Sequence, residues 1–161
     1  MAEAIASVDF VGVQEALESD GVCASYTSGM SMHPLFKTHR DVIIVKKAVL
    51  PLKKYDVALY KLGEKFVLHR VIGFDKKSGA YIIRGDNTFV KEYVAPERII
   101  ATLAAFRRKS KYKTVQNFSY KLYSRVWCAI YPLRFVFRKI RIFLRRVKGK
   151  IVRTLRGTGK K

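Results

Sequence analysis

The sequence predicts a mainly β domain, a β sandwich or small barrel, with a short N-terminal helix and a basic amphipathic helical tail. Three observations lead there. Short β-branched and aromatic runs recur at intervals of about ten residues between tight turns, as in an antiparallel all-β domain. Charge is split along the chain: residues 1–106 carry 14 Lys/Arg and 12 Asp/Glu, whereas 107–161 carry 19 Lys/Arg and no acid. The net charge of +21 therefore belongs to the tail. Beyond residue 132, apolar residues recur at three- and four-residue steps, the period of a helix. A chain of 161 residues, 49% of them apolar, suits one domain plus a tail.

Taken in order, Phe10, Val13 and Leu17 have helical spacing behind Ser7 as a cap, and Asp20-Gly21 stops that helix, so residues 1–21 form an N-terminal helical segment. Residues 22–27 alternate loosely as a strand and lead into a bend. Asp41–Val45 is a β-branched strand, broken by Leu50-Pro51-Leu52. Asp56–Tyr60 and Lys65–Phe74 form a hairpin around Leu62-Gly63-Glu64, and Tyr81–Arg84 follows the turn at Lys76–Gly79. Residues 98–106 read as a closing strand, so the β domain spans 22–107. The tail, 108–161, holds a shorter stripe of Phe118, Leu122, Val126 and Ile130 beside Tyr120, Tyr123, Trp127 and Tyr131. Its main helix starts near Pro132, with Leu133, Val136, Phe137, Ile140, Phe143 and Leu144 along one stripe and Arg134, Arg138, Arg141 and Arg145 in the same rhythm beside it.

Composition also excludes several classes. Met1-Ala2-Glu3-Ala4 is acidic where a secretory signal would be basic, and no run reaches the roughly 18 apolar residues that span a bilayer. Cys23 and Cys128 form no Cys-x-x-Cys and read as free thiols of a reducing compartment. The spacing of His33, His39 and His69 matches no zinc motif, so no metal or cofactor is expected. For the tail, spanning would bury arginines at about 2.5 kcal/mol or more each, whereas lying flat puts the apolar stripe in the acyl boundary and the cations on anionic lipid. The expectation is a peripheral membrane anchor that uses Trp127, Arg134, Phe137, Arg138, Arg141, Phe143 and Arg145. A nucleic-acid arm is the competing reading, disfavoured by so continuous an apolar stripe.

The chemistry centres on Ser28-Gly29-Met30-Ser31-Met32-His33-Pro34. Glycine permits a tight bend and proline fixes the chain beyond it, so Ser31 sits where a hydroxyl can be presented. Phe66-Val67-Leu68-His69-Arg70-Val71-Ile72 and Arg84-Gly85-Asp86-Asn87-Thr88 follow. A serine, a histidine and an aspartate are the parts of a nucleophile, its base and an orienting acid. On a strand, His69 shares a face with Val67 and Val71, and Arg70 lies on the other.

Those three stretches resemble the serine peptidase superfamily of the LexA-type self-cleaving repressors and the class I signal peptidases. Ser-Gly-Met-Ser-Met is closest to the repressor branch. His69-Arg70-Val71, where many members carry lysine, looks like the archaeal and endoplasmic-reticulum signal peptidases. The resemblance spans about residues 22–107 and implies a β-rich fold and Ser31/His69 acyl transfer on a peptide or precursor protein. It makes Asp86 the expected partner of His69, with Glu92 standing where these enzymes carry a second acid. The Ser31 backbone N–H is the expected oxyanion donor. Gly29 occupies the position of a usual second donor, and the nearest hydroxyl, Ser28, is one residue further back. The N-terminal anchor usual in signal peptidases is not seen, which suggests a peripheral enzyme at the cytoplasmic face. The alternatives are a self-cleaving regulator that binds nucleic acid and a non-catalytic peptide-binding module.

Overall fold

The computed structural model describes the backbone of residues 13–63 and 65–157 and side-chain environments for 15–63 and 65–145; Ser7 and Phe10, the expected start of the first helix, lie outside them. It contains α1 (Val13–Ser19), β1 (Val22–Tyr26), β2 (Val42–Lys47), β3 (Val57–Leu62), β4 (Lys65–Asp75), β5 (Ala80–Arg84), β6 (Glu92–Val94), β7 (Ile99–Arg108), β8 (Lys111–Thr114), α2 (Phe118–Ala129) and α3 (Tyr131–Gly157). The protein is mainly β, with a C-terminal helical region, as expected.

All eight strands belong to one antiparallel sheet, in the order β1-β2-β7-β3-β4-β5-β6, with β8 beside β7. β1 and β6 end this order, so among the described residues the sheet does not close into the small barrel offered as one expectation. Gly63 (φ 59°) and Gly79 (φ 66°) make the two hairpin turns, each in the left-handed region where a side chain is strained. β3 and β4 are buried on both faces. Val57, Leu59 and Leu68 join Ile43, Val45, Leu103 and Phe106 in one apolar cluster; Ala58, Tyr60, Val67 and Val71 join Tyr81, Ile83 and Val94 in another. Alternate residues of the same strands feed the two clusters, so they occupy opposite faces of the sheet. Full burial of each large side chain contributes about 1.5–3 kcal/mol.

The boundary between domain and tail moves. One compact unit extends to Arg125, and Val126–Lys161 is the other. β8 pairs Lys111–Thr114 with Ala105–Arg108, and α2 buries Tyr120 and Ser124. The charge break at 107 therefore falls inside the sheet domain, because backbone pairing is indifferent to basic side chains. On α2 the tyrosine side is the packed one, while Phe118 and Leu122 are exposed. In the second unit, α3 exposes Leu133, Val136, Phe137, Ile140, Phe143 and Leu144. Neither cysteine is in a disulfide among the described residues.

Candidate active site

Ser31 lies in the long connection between β1 and β2, and its turn is tied down from several sides. Gly29 takes φ 79°, and its carbonyl accepts from Thr38 Oγ1 at 2.5 Å. Met32, Leu35 and Phe36 sink into the first apolar cluster just after the serine. Asn87 clamps the turn from the β5–β6 connection: its backbone N–H donates to the Ser31 carbonyl at 2.7 Å and its side-chain amide to the Met30 carbonyl at 3.2 Å.

His69 comes from the middle of β4. Its Nε2 is 2.8 Å from Ser31 Oγ, and the two residues are only 1% and 2% exposed. The neighbouring glycine is a requirement of space. A Cβ on Gly85 would lie 2.7 Å from the Ser31 carbonyl oxygen and 3.0 Å from His69 Nε2, so no larger residue fits without displacing backbone.

The other side of the imidazole is where expectation and structure part. His69 Nδ1 stands 3.2 Å from Glu92 Oε1 and 3.1 Å from the Tyr60 hydroxyl, and Tyr60 in turn donates to Glu92 Oε2. Asp86 is engaged elsewhere: Arg70 holds it with Nε to Oδ1 and Nη2 to Oδ2, both at 2.7 Å, and Tyr123 donates to it at 3.0 Å. The carboxylate beside His69 is thus Glu92 rather than Asp86. Sheet register explains why. Val71 pairs with Ile83 and Ile83 with Glu92, while Arg70 pairs with Arg84. Directly paired residues share a face, so Glu92 lies on the His69 and Val71 face, whereas Asp86 sits in the turn after β5, where Arg70 Nε and Nη2 hold it.

Protonation follows from these contacts. To accept from Ser31, Nε2 must be the unprotonated nitrogen, so Nδ1–H donates to Glu92 and the Tyr60 oxygen. Burial works against a charged Glu92, but hydrogen bonds from His69 and Tyr60 outweigh it and hold the carboxyl below the usual glutamate range. Burial, reinforced by Glu92, pushes the Tyr60 phenol far up, so Tyr60 stays a donor. For Arg70, burial opposes the guanidinium charge, yet Asp86 overcomes it and keeps the group fully charged.

A depressed carboxyl stabilises the fold above its unfolded value, about 4.3, and that contribution is lost as pH falls through the lower folded value. The stability difference between the wild type and Glu92→Gln should be flat above about pH 5 and close only below about pH 4. Urea midpoints across this range test it; a difference that closes near neutrality would be the contrary result.

The remaining expected residues are placed as follows. Ser28 is half-buried at the start of the serine turn, and Met30 is exposed beside Ser31. In the tail unit, Trp127 is half-buried with the Arg134 guanidinium carbon 3.9 Å above its ring, Arg138 is half-buried, and Phe137, Arg141, Phe143 and Arg145 are exposed. Among the described residues no three His, Cys, Asp or Glu side chains gather as a metal site would need, and no helix is long and apolar enough to cross a membrane. Tyr60 is the participant that sequence reasoning passed over. Its signal was positional, since on β3 it stands diagonal to His69 on the same face. The chain matches no protein-family model, no curated protein and no solved structure.

Proposed function

We propose that this protein is a serine endopeptidase, similar to signal peptidases, that cleaves leader or signal peptides by acyl transfer at a membrane surface. The observation that carries the reading is the 2.8 Å contact between Ser31 Oγ and His69 Nε2, with Glu92 and Tyr60 behind the imidazole. Ser31 Oγ attacks the scissile carbonyl carbon as Nε2 takes its proton. The Ser31 backbone N–H meets the developing oxyanion. Collapse of that intermediate breaks the C–N bond, and the imidazolium returns its proton to the departing amine. Water, deprotonated by His69, then attacks the acyl ester and releases Ser31. Glu92 stays ionised throughout and steadies the imidazolium.

The substrate is an extended peptide. β1 ends the sheet order, pairing β2, and leads directly into the serine turn, so a peptide added as a strand there would deliver its carbonyl to Ser31. Mass spectrometry of leader peptides incubated with the protein tests the activity, with products expected from the wild type and not from Ser31→Ala.

The tail supplies the location: a helix without acids, exposing an apolar row beside arginines, suits a lipid–water boundary. The exposed apolar row favours lipid over nucleic acid as its partner. The protein should sediment with anionic phosphatidylglycerol vesicles, less with phosphatidylcholine alone, and less again at high salt. Phe137→Asp should weaken that binding about tenfold or more. Salt-sensitive DNA binding without vesicle binding would instead favour the repressor-like reading.

A further inference from the structure

A cavity lies in the sheet domain, built from residues that the catalytic reading leaves unused. It has a volume of about 300 Å³, the small end of the range for ligand sites. One wall is the segment Lys53–Val57 that enters β3; the other is the β8–α2 corner, with Gln116, Lys121 and Arg125. Its rim carries four cationic side chains, Lys53, Lys54, Lys121 and Arg125. The acid lining it, Asp56, is drawn back by the Lys53 backbone N–H at 2.8 Å.

The interior of this cavity is held rigid. Arg70 Nη1 reaches the Tyr55 carbonyl at 3.0 Å, the Ser124 hydroxyl at 2.8 Å and the Tyr120 hydroxyl at 3.4 Å, and all three residues line the space. Tyr55 takes φ 83°, a conformation that costs a residue with a side chain on the order of 1–3 kcal/mol and that clusters at ligand sites. Lys54 Nζ lies 5.3 Å from the centre of the Tyr55 ring. Four cations around a small cavity with rigid walls are the recognition chemistry of a phosphate group.

From this placement we infer that the cavity between Lys53–Asp56 and Lys121–Arg125 binds a terminal phosphate group. Two sources share that chemistry: inorganic phosphate and the phosphomonoester headgroup of phosphatidic acid. The lipid source rests on the membrane reading above. It is motivated by α2, on which the cations Lys121 and Arg125 run beside the exposed Phe118 and Leu122. A surface that receives the apolar pair brings headgroups to the cation pair.

The full-length protein and a Lys53→Gln/Lys54→Gln variant separate these cases, since both lysines are exposed and far in sequence from the tail. Inorganic phosphate, titrated while amide resonances of residues 53–56 and 121–125 are followed, should bind saturably and about tenfold or more weakly to the variant. In the second arm, phosphatidylcholine vesicles carry either phosphatidic acid or phosphatidylglycerol at equal surface charge. A preference for phosphatidic acid that disappears in the variant identifies the lipid headgroup. Saturable phosphate binding with no such preference identifies free phosphate, and if no vesicles bind at all the cavity stands while the membrane reading falls. Wild type and variant behaving alike in both arms would overturn the inference.

Discussion

Replacing Ser31 by alanine is expected to cut the rate of peptide cleavage by about 10⁴-fold or more, and His69→Ala by a similar factor. The two losses should not multiply, because hydroxyl and imidazole act as one unit at 2.8 Å: once either is gone, the other has no proton to move. Peptide affinity should survive in Ser31→Ala, since the hydroxyl contributes to the transition state more than to ground-state binding. A fluorophosphonate, which phosphonylates activated serines as fluoride leaves, should label the wild type at residue 31 and neither variant. Undiminished cleavage in either variant would remove the dyad. A wild type that neither cleaves nor labels, yet binds extended peptide, would make the protein a binding module instead.

How much of this site could be read in advance depended on which physical signal each residue carried. Ser31 and His69 were legible because glycine and proline frame one and a β-branched strand carries the other. The motif reading of Gly85-Asp86-Asn87 leaves Asp86 or Glu92 as the acid beside His69, and strand register is what separates them. Counting alternation from His69 through Val71 and Ile83 reaches Glu92, whereas Asp86 lies in the turn beyond β5, where alternation no longer decides. That count needs the pairing register, which a bulge between Val71 and Gly73 conceals from the sequence. β6 and β8 were missed for a related reason. Glu92–Val94 and Lys111–Thr114 are held by backbone pairing and carry no apolar run to announce them. On α2 the apolar stripe was plain, but hydrophobicity could not say which side packs. Arg70 decides it, because a buried guanidinium needs the oxygens of Tyr120 and Ser124 more than the domain needs Phe118 and Leu122.

Removing that guanidinium should have the largest effect on stability. Arg70 is fully buried and spends its donors on both Asp86 oxygens, the Tyr55 carbonyl, and the hydroxyls of Tyr120 and Ser124. Arg70→Met keeps much of the volume but leaves the Asp86 charge buried without its two 2.7 Å bonds, at a cost of about 3–5 kcal/mol. For a domain of this size that lowers Tm by on the order of 10 °C. Arg70→Lys should recover little, because a single ammonium cannot serve both carboxylate oxygens in the geometry of a planar fork. Combining Arg70→Met with Asp86→Asn should be less destabilising than the sum of the two single changes, since the second removes the charge that the first strands. Strict additivity in that cycle would show that the pair does not hold the fold as argued. The kinetics carry a separate reading. Asp86 lies between Gly85, which packs against Ser31 and His69, and Asn87, which clamps the Ser31 carbonyl. Assayed well below its melting point, Arg70→Met should therefore lose kcat with KM little changed, because loosening Asp86 moves the nucleophile and not the peptide-binding edge. A normal kcat in the folded variant would confine Arg70 to stability and leave the serine turn dependent on Asn87 and Gly85 alone.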